Sequence, residues 1–227
     1  MLRRRPSKPR LVLYLAGAAL AMLVLAQLLL PRIAASKIHS RLDRYGVVKS
    51  VKVSAWPAIE LLWGHADSVD VHAGALALAP ARIAPLLHEA KGAASLKLQA
   101  TSVRLGALRL TEVGLDKHGS RLSGQALAAA ADVRAALPPG MSVKLLGSHD
   151  GEVEVSAGGA LFGVSASLDA VAQASAGKIV VHPTGFLLGA LGLTLYSDPR
   201  VYVTALAASS NGRTPPTYRL SAVAVLR

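Results

Sequence analysis

The residues of this sequence best suited to chemistry lie close together: His65, Asp67, Asp70 and His72. Imidazole and carboxylate groups ligate zinc, but a zinc site needs three or four of them converging on one point. The surrounding segment, ADSVDVHA, alternates like a strand. Alternation puts His65 and Asp67 on one face with Val69 and Val71, and Asp70 and His72 on the other, so at most two ligands converge. Glu152 and Glu154 also share a face of an alternating segment and would suit acid–base work as a carboxylate pair. Asp150 and Gly151 beside them mark a solvated hairpin instead. There is no G-x-S-x-G elbow, P-loop, H-E-x-x-H or glycine fingerprint. No catalytic residue, metal site or cofactor is expected, and the chain reads as a non-enzyme.

The elements that would position any site begin with an uneven distribution of charge. The chain has 227 residues and a formal net charge of +12. Residues 1–52 hold 11 Lys and Arg against one acid, Asp43, whereas residues 53–227 are close to neutral with 14 cations and 12 acids. A nucleic-acid-binding domain would carry its basic face on the folded part. Here the basicity flanks an apolar run, LVLYLAGAALAMLVLAQLLL at residues 11–30, in which Gln27 is the one strongly polar side chain. At 1.5 Å per residue this run is about 30 Å long, enough to cross a bilayer core. The cations before it predict a cytoplasmic N-terminus and an extracytoplasmic body. The alternative is a secreted protein whose signal peptide is cleaved. The absence of cysteine excludes disulfides and a lipoprotein anchor.

The predicted organisation is a basic tail at 1–10, a transmembrane signal anchor at 11–30, a basic amphipathic helix or stalk at 31–46, and a folded body at 47–227. Pro31 is expected in the first turn of that second helix and Gly46 at its end. Ile33, Ile38, Leu42 and Tyr45 form its apolar stripe, either lying on anionic headgroups or packed on a sheet as the body's first helix. In the body, VVKSVKVSA and ADSVDVHA read as strands on either side of a short helix, WPAIELLWG, bounded by Pro57 and Gly64. A further short helix is expected from Pro85, stopping before Gly92. Long alternating segments, bent at Gly106 and turned at Asp150-Gly151 and Asn211-Gly212, fill most of the remainder. TGFLLGALGLTL reads as a short apolar helix. The fold class is α+β: a strongly curved, mostly antiparallel sheet with a few short helices enclosing an elongated apolar interior.

Residues 47–183 carry a resemblance. A Val-rich strand, the pair Trp56-Pro57, an apolar turn ending LLWG and the strand ADSVDVHAG come in one order. TSVRLGALRLTEVGLDKHG, LPPGMSVKLL and DGEVEVSAGGALFGVSASLDAVAQASAGKIVVHP follow. This order resembles the LmeA-like family of actinobacterial phospholipid-binding cell-envelope proteins, whose fold is similar to the tubular lipid-binding superfamily. The sequence departs from the family pattern at Ala55 and Ala58, where the family has a glycine and a second aromatic residue. The resemblance implies binding of a phospholipid or similar amphiphile outside the cytoplasm, a role in envelope lipid or glycolipid assembly or lipid transfer, and no catalytic residues. Candidate lipid-contacting side chains are Trp56, Ile59, Leu62, Trp63, Leu86, Leu87, Phe162, Phe186, Leu187 and Leu191. Each is also what an ordinary core is made of. Arg82, Lys52 and Lys97 are candidates for a headgroup phosphate. The competing reading is a non-enzymatic envelope scaffold with a filled core; an envelope hydrolase would need convergent polar groups that the sequence lacks. An exposed tryptophan patch without a cavity favours the scaffold, and a continuous apolar cavity favours the lipid carrier.

Overall fold

A computed structural model describes residues 8–161, 164–184, 192–212 and 214–227, with side chains for residues 22–159, 167–184, 192–212 and 214–227. It shows the α+β class expected, in two mostly antiparallel sheets. The larger sheet has seven strands in the order β1 (Gly46–Ser54), β2 (Ala66–Leu78), β3 (Ala93–Leu105), β4 (Leu108–His118), β5 (Arg121–Ala129), β12 (Thr217–Leu226) and β11 (Val201–Ser210). Its one parallel pair is β2 with β3, joined by helix α2 (Pro80–Glu89). A parallel pair needs a crossover, and this one carries α2 over one face of the sheet. The smaller sheet runs β10 (Leu193–Tyr196), β9 (Lys178–Pro183), β8 (Val164–Ser175), β7 (Glu152–Leu161) and β6 (Met141–His149), and helix α3 (Ala130–Ala136) leads into it from β5.

The hairpin signals fold as their chemistry requires. Gly106, at φ 61°, turns β3 into β4, while Asp150 and Gly151, at φ 51° and 83°, form the two-residue turn between β6 and β7. The sheets meet where β11 abuts the turns of the smaller sheet. The Val203 amide donates to Gly177 O, and the Ala208 amide to Ser148 Oγ. Gly177 is required there: its φ is +80°, and a Cβ would overlap the ring of Tyr202.

Two expectations for the helices need correction, and a third is refined. Residues 31–42 do not form a separate helix, because α1 runs without a break from Lys8 to Leu42 with Pro31 inside it. Pro31 cannot donate to the carbonyl of Gln27, but one lost bond does not end a helix whose next turns pack on the sheet. Helix α2 starts at Pro80, five residues earlier than expected, and contains Pro85. Pro80 takes the first helical position, and burial of Ala84 against the sheet holds the helix through the second proline. The short helix after Pro57 is a 3-10 turn, Ala58–Trp63, closed by Gly64 in the left-handed conformation. The segment expected as an apolar helix at 184–195 ends in β10; its residues 185–191 lie outside those described.

Among the described residues, Met22–Leu42 is long and apolar enough to cross a membrane. Its two ends differ. Met22, Leu23, Leu25, Leu28 and Leu29 are exposed, whereas Ile38 and Leu42 pack against Val69, Val71 and Ala93 of the sheet. The last turns of α1 therefore belong to the domain core, and the lipid-compatible part stops near Leu30, just before Arg32.

Candidate functional site

The inner face of the larger sheet is set by simple alternation. Val51 and Val53 of β1, Val69 and Val71 of β2, Leu96 and Leu98 of β3, and Val113 and Leu115 of β4 all turn the same way. Over this face lie the C-terminal half of α1, presenting Ala34, Ile38 and Leu42, and helix α2, presenting Ile83, Leu86 and Leu87. Between the helices and the sheet is a groove of about 670 Å³, lined mainly by aliphatic side chains. That volume is within the usual range of small-molecule sites, about 300–1,000 Å³.

The groove has direction. Strands β2 and β3, each of 13 residues, run side by side along it from Ala66 and Ala93 to Leu78 and Leu105. Leu61 and Gly64, from the 3-10 turn, line the first end, and Tyr45, Leu105 and Leu110 line the second. The first end is the one beside the apolar part of α1. There the Gln27 side chain grips the loop before the turn: Nε2 donates to Ala55 O at 3.0 Å, and Oε1 accepts from the Ala58 amide at 2.7 Å. Gly92 packs so closely on the carbonyl of Gly64 that a Cβ would overlap it, which ties the start of β3 to the same loop.

Charge is sparse along the walls. Lys37 and Arg41 line the groove from α1, and Glu89 does so from the end of α2. Arg41 pairs with Glu89 at 3.5 Å, a contact open to solvent and so of little energetic weight. Lys37 has no ion-pair partner among the described residues. Lys117, on β4 two residues beyond Leu115, is 1% exposed, and its ammonium donates to Ala93 O. Burial holds its pKa below the ordinary lysine value.

Of the side chains picked out from sequence, Leu86 and Leu87 line the groove. Trp56, Ile59, Leu62 and Trp63 do not: the tryptophans are 71% and 69% exposed, and all four project from the outside of the turn whose Leu61 faces inward. Ile59 and Leu62 are three apart and so nearly eclipse in a 3-10 turn. Phe162, Phe186, Leu187 and Leu191 lie outside the described side chains. Lys52 and Lys97 sit on the opposite face of the sheet, in a row of alternating sign: Lys52 opposite Asp70, Asp70 opposite Lys97, Lys97 opposite Asp116. Arg82 is exposed on α2 and does not line the groove. Asp67 is occupied locally, accepting from the Trp56 amide at 2.6 Å. No group of three or more His, Asp or Glu side chains converges among the described residues.

The sequence reading missed Ile38, Leu42, Leu61, Leu96 and Leu98 as wall residues, although the alternation of β2 and β3 marks the last two. It also missed Gln27 as a structural clasp. Its polarity inside an apolar run was the available signal, but its partners are 28 and 31 residues away. No family model matches this chain, and comparison with the curated proteins and the solved structures finds no match either.

Proposed function

We propose that this is a membrane-anchored protein whose groove holds an acyl chain of a phospholipid or similar amphiphile, as the resemblance to the LmeA-like family implies. The observation that carries the reading is the position of the groove: an apolar channel that starts beside the lipid-compatible part of the chain's own anchor. A lipid leaving that bilayer has only a short path to the Leu61–Gly64 end. Each methylene moved from water onto these walls contributes about 0.8 kcal/mol. Lys37, which lines the groove and is exposed, supplies a cation for the headgroup phosphate in this reading. The anchor, by its flanking charges, puts the body outside the cytoplasm. A supporting role in envelope lipid assembly or transfer is consistent with such a carrier and needs no catalytic group.

The scaffold reading keeps one observation in its favour, the exposed tryptophans, but that reading pairs them with a filled core. The test is native mass spectrometry with lipid extraction on the full chain, wild type beside Leu98→Trp, which fills the groove. Both proteins carry the same anchor, so lipid held around the anchor is common to both. A phospholipid retained by the wild type and lost from the variant is the expected result. Equal retention, or none in either protein, overturns the proposal.

A further inference from the structure

The two tryptophans sit on one loop, and the loop is pinned to the anchor. Gln27 hydrogen-bonds on both sides of the Trp56–Pro57 pair, fixing residues 55–58 at its own level on α1. That level is three residues, about 4.5 Å, inside the end of the apolar run at Leu30. It is also seven residues, or about 10 Å, below Ala34, the first α1 side chain on the groove. Trp56, Ile59, Leu62 and Trp63, on the loop and turn that pack on α1, are exposed, and so are Leu23, Leu28 and Leu29 of the helix. No Lys or Arg lies between residues 53 and 64, and Glu60 is the only ionisable group there. The cations Arg32, Lys37 and Arg41 lie further along α1 and Arg44 just beyond its end, on the side away from the apolar run.

We infer that residues 55–64 insert into the bilayer leaflet nearest the domain, with both indoles at the headgroup boundary. Indole suits that depth because it joins a large apolar ring to one N–H donor. The inserted turn puts Leu61 and Gly64, the near end of the groove, directly over the acyl region. Gln27 has a double use: its amide is satisfied by the loop backbone instead of being left bare in hydrocarbon, and the loop is held at a fixed depth. This placement rests on α1 spanning the membrane, and it does not require the groove to carry lipid.

The chain has only two tryptophans, so its tryptophan emission, excited selectively over that of the five tyrosines, reports on this loop alone. The full chain is reconstituted into phosphatidylcholine–phosphatidylglycerol vesicles containing brominated phosphatidylcholine, with Trp56→Phe and Trp63→Phe isolating each indole. Both indoles are expected to lose most of their emission to bromines near the headgroup, less to bromines at the chain ends, and to resist aqueous acrylamide. Gln27→Leu keeps the anchor apolar but removes the clasp, and it is expected to lower the bromine quenching while carbonate-resistant membrane retention persists. Retained protein whose tryptophans are open to acrylamide and untouched by bromines overturns the insertion. So does emission shielded from both quenchers, which marks cover by a protein surface. Release of the wild-type chain by alkaline carbonate overturns the spanning anchor, and the insertion with it.

Discussion

The two halves of the seven-stranded sheet are built from the same alternation and end differently. On the β5–β12–β11 side, Leu122, Val201, Val203, Ala224 and Leu226 close against Ala84 of α2 and form a filled core. On the β1–β4 side, equally apolar residues face α1 and α2 across a groove. Leu87 and Leu115 touch both regions. The difference lies in what covers the sheet. Helix α2 reaches across to β11 and packs there through a small residue, Ala84, which allows close approach. Over β1–β4 the cover comes from two helices, each fixed elsewhere: α1 by the Gln27 clasp and by Ile38 and Leu42, α2 by its contact near β11. Neither helix can settle fully onto the strands between them.

The sharpest test of this contrast is a matched pair of truncations. Leu122→Ala removes a side chain that is 5% exposed in the filled half. It is expected to cost about 2–5 kcal/mol through lost burial and a new cavity. Leu98→Ala removes a half-buried side chain that already borders open space, so its cost is about 1 kcal/mol. Thermal melts of the full chain in detergent read both. With about 2–4 °C lost per kcal/mol in a domain of this size, the first melts on the order of 10 °C lower and the second only a few degrees lower. Equal losses would mean that the groove half is packed as tightly as the other.

A smaller effect is expected on the border between the halves. Lys117 lies on β4 between Leu96 of β3 and Leu122 of β5, buried, with Ala93 O as its partner. Its pKa is lowered in the folded chain by loss of hydration, so between that lowered pKa and about 10.5 the unfolded chain binds more protons. Stability of the wild type therefore rises with pH across that window, and below it the full penalty is present. Lys117→Met has a flexible chain of similar length and no charge to bury. It is expected to stabilise the protein by on the order of 1 kcal/mol at neutral pH. The gain should shrink as pH approaches 10.5. A gain that does not vary with pH would place its origin in packing rather than in the buried charge.

Much of this fold was legible in the sequence because strands and turns are local. Asp150-Gly151, Gly106 and the alternation of β2 and β3 each carry their own instruction within a few residues. The long apolar helix was legible for the same reason. What was not legible depends on distance. Pro31 reads as a helix start until the packing of Ile38 and Leu42 is known, and Pro80 and Pro85 compete for the start of α2 until Ala84 is seen against the sheet. The groove is the hardest case, since Leu96 beside a void and Leu122 in a core belong to the same residue type and the same pattern. Lys117 left a trace that alternation could have used: it falls on the face of Val113 and Leu115.

The smallest expected effect concerns the largest side chains. Large apolar side chains are usually read as core, and the spacing of Trp56, Ile59, Leu62 and Trp63 invites that reading. Yet Trp63 is about as exposed as Trp56 and lines neither half of the sheet's interior. Truncating an exposed side chain changes stability by only about 0.5 kcal/mol or less. Trp63→Ala should therefore melt within about 2 °C of the wild type in detergent, far from the drop expected for Leu122→Ala. A drop as large as that of Leu122→Ala would show that Trp63 supports the fold, and that the loop it stands on turns inward. An unchanged melt leaves the indole free to meet something outside the protein, which is where Gln27 holds it.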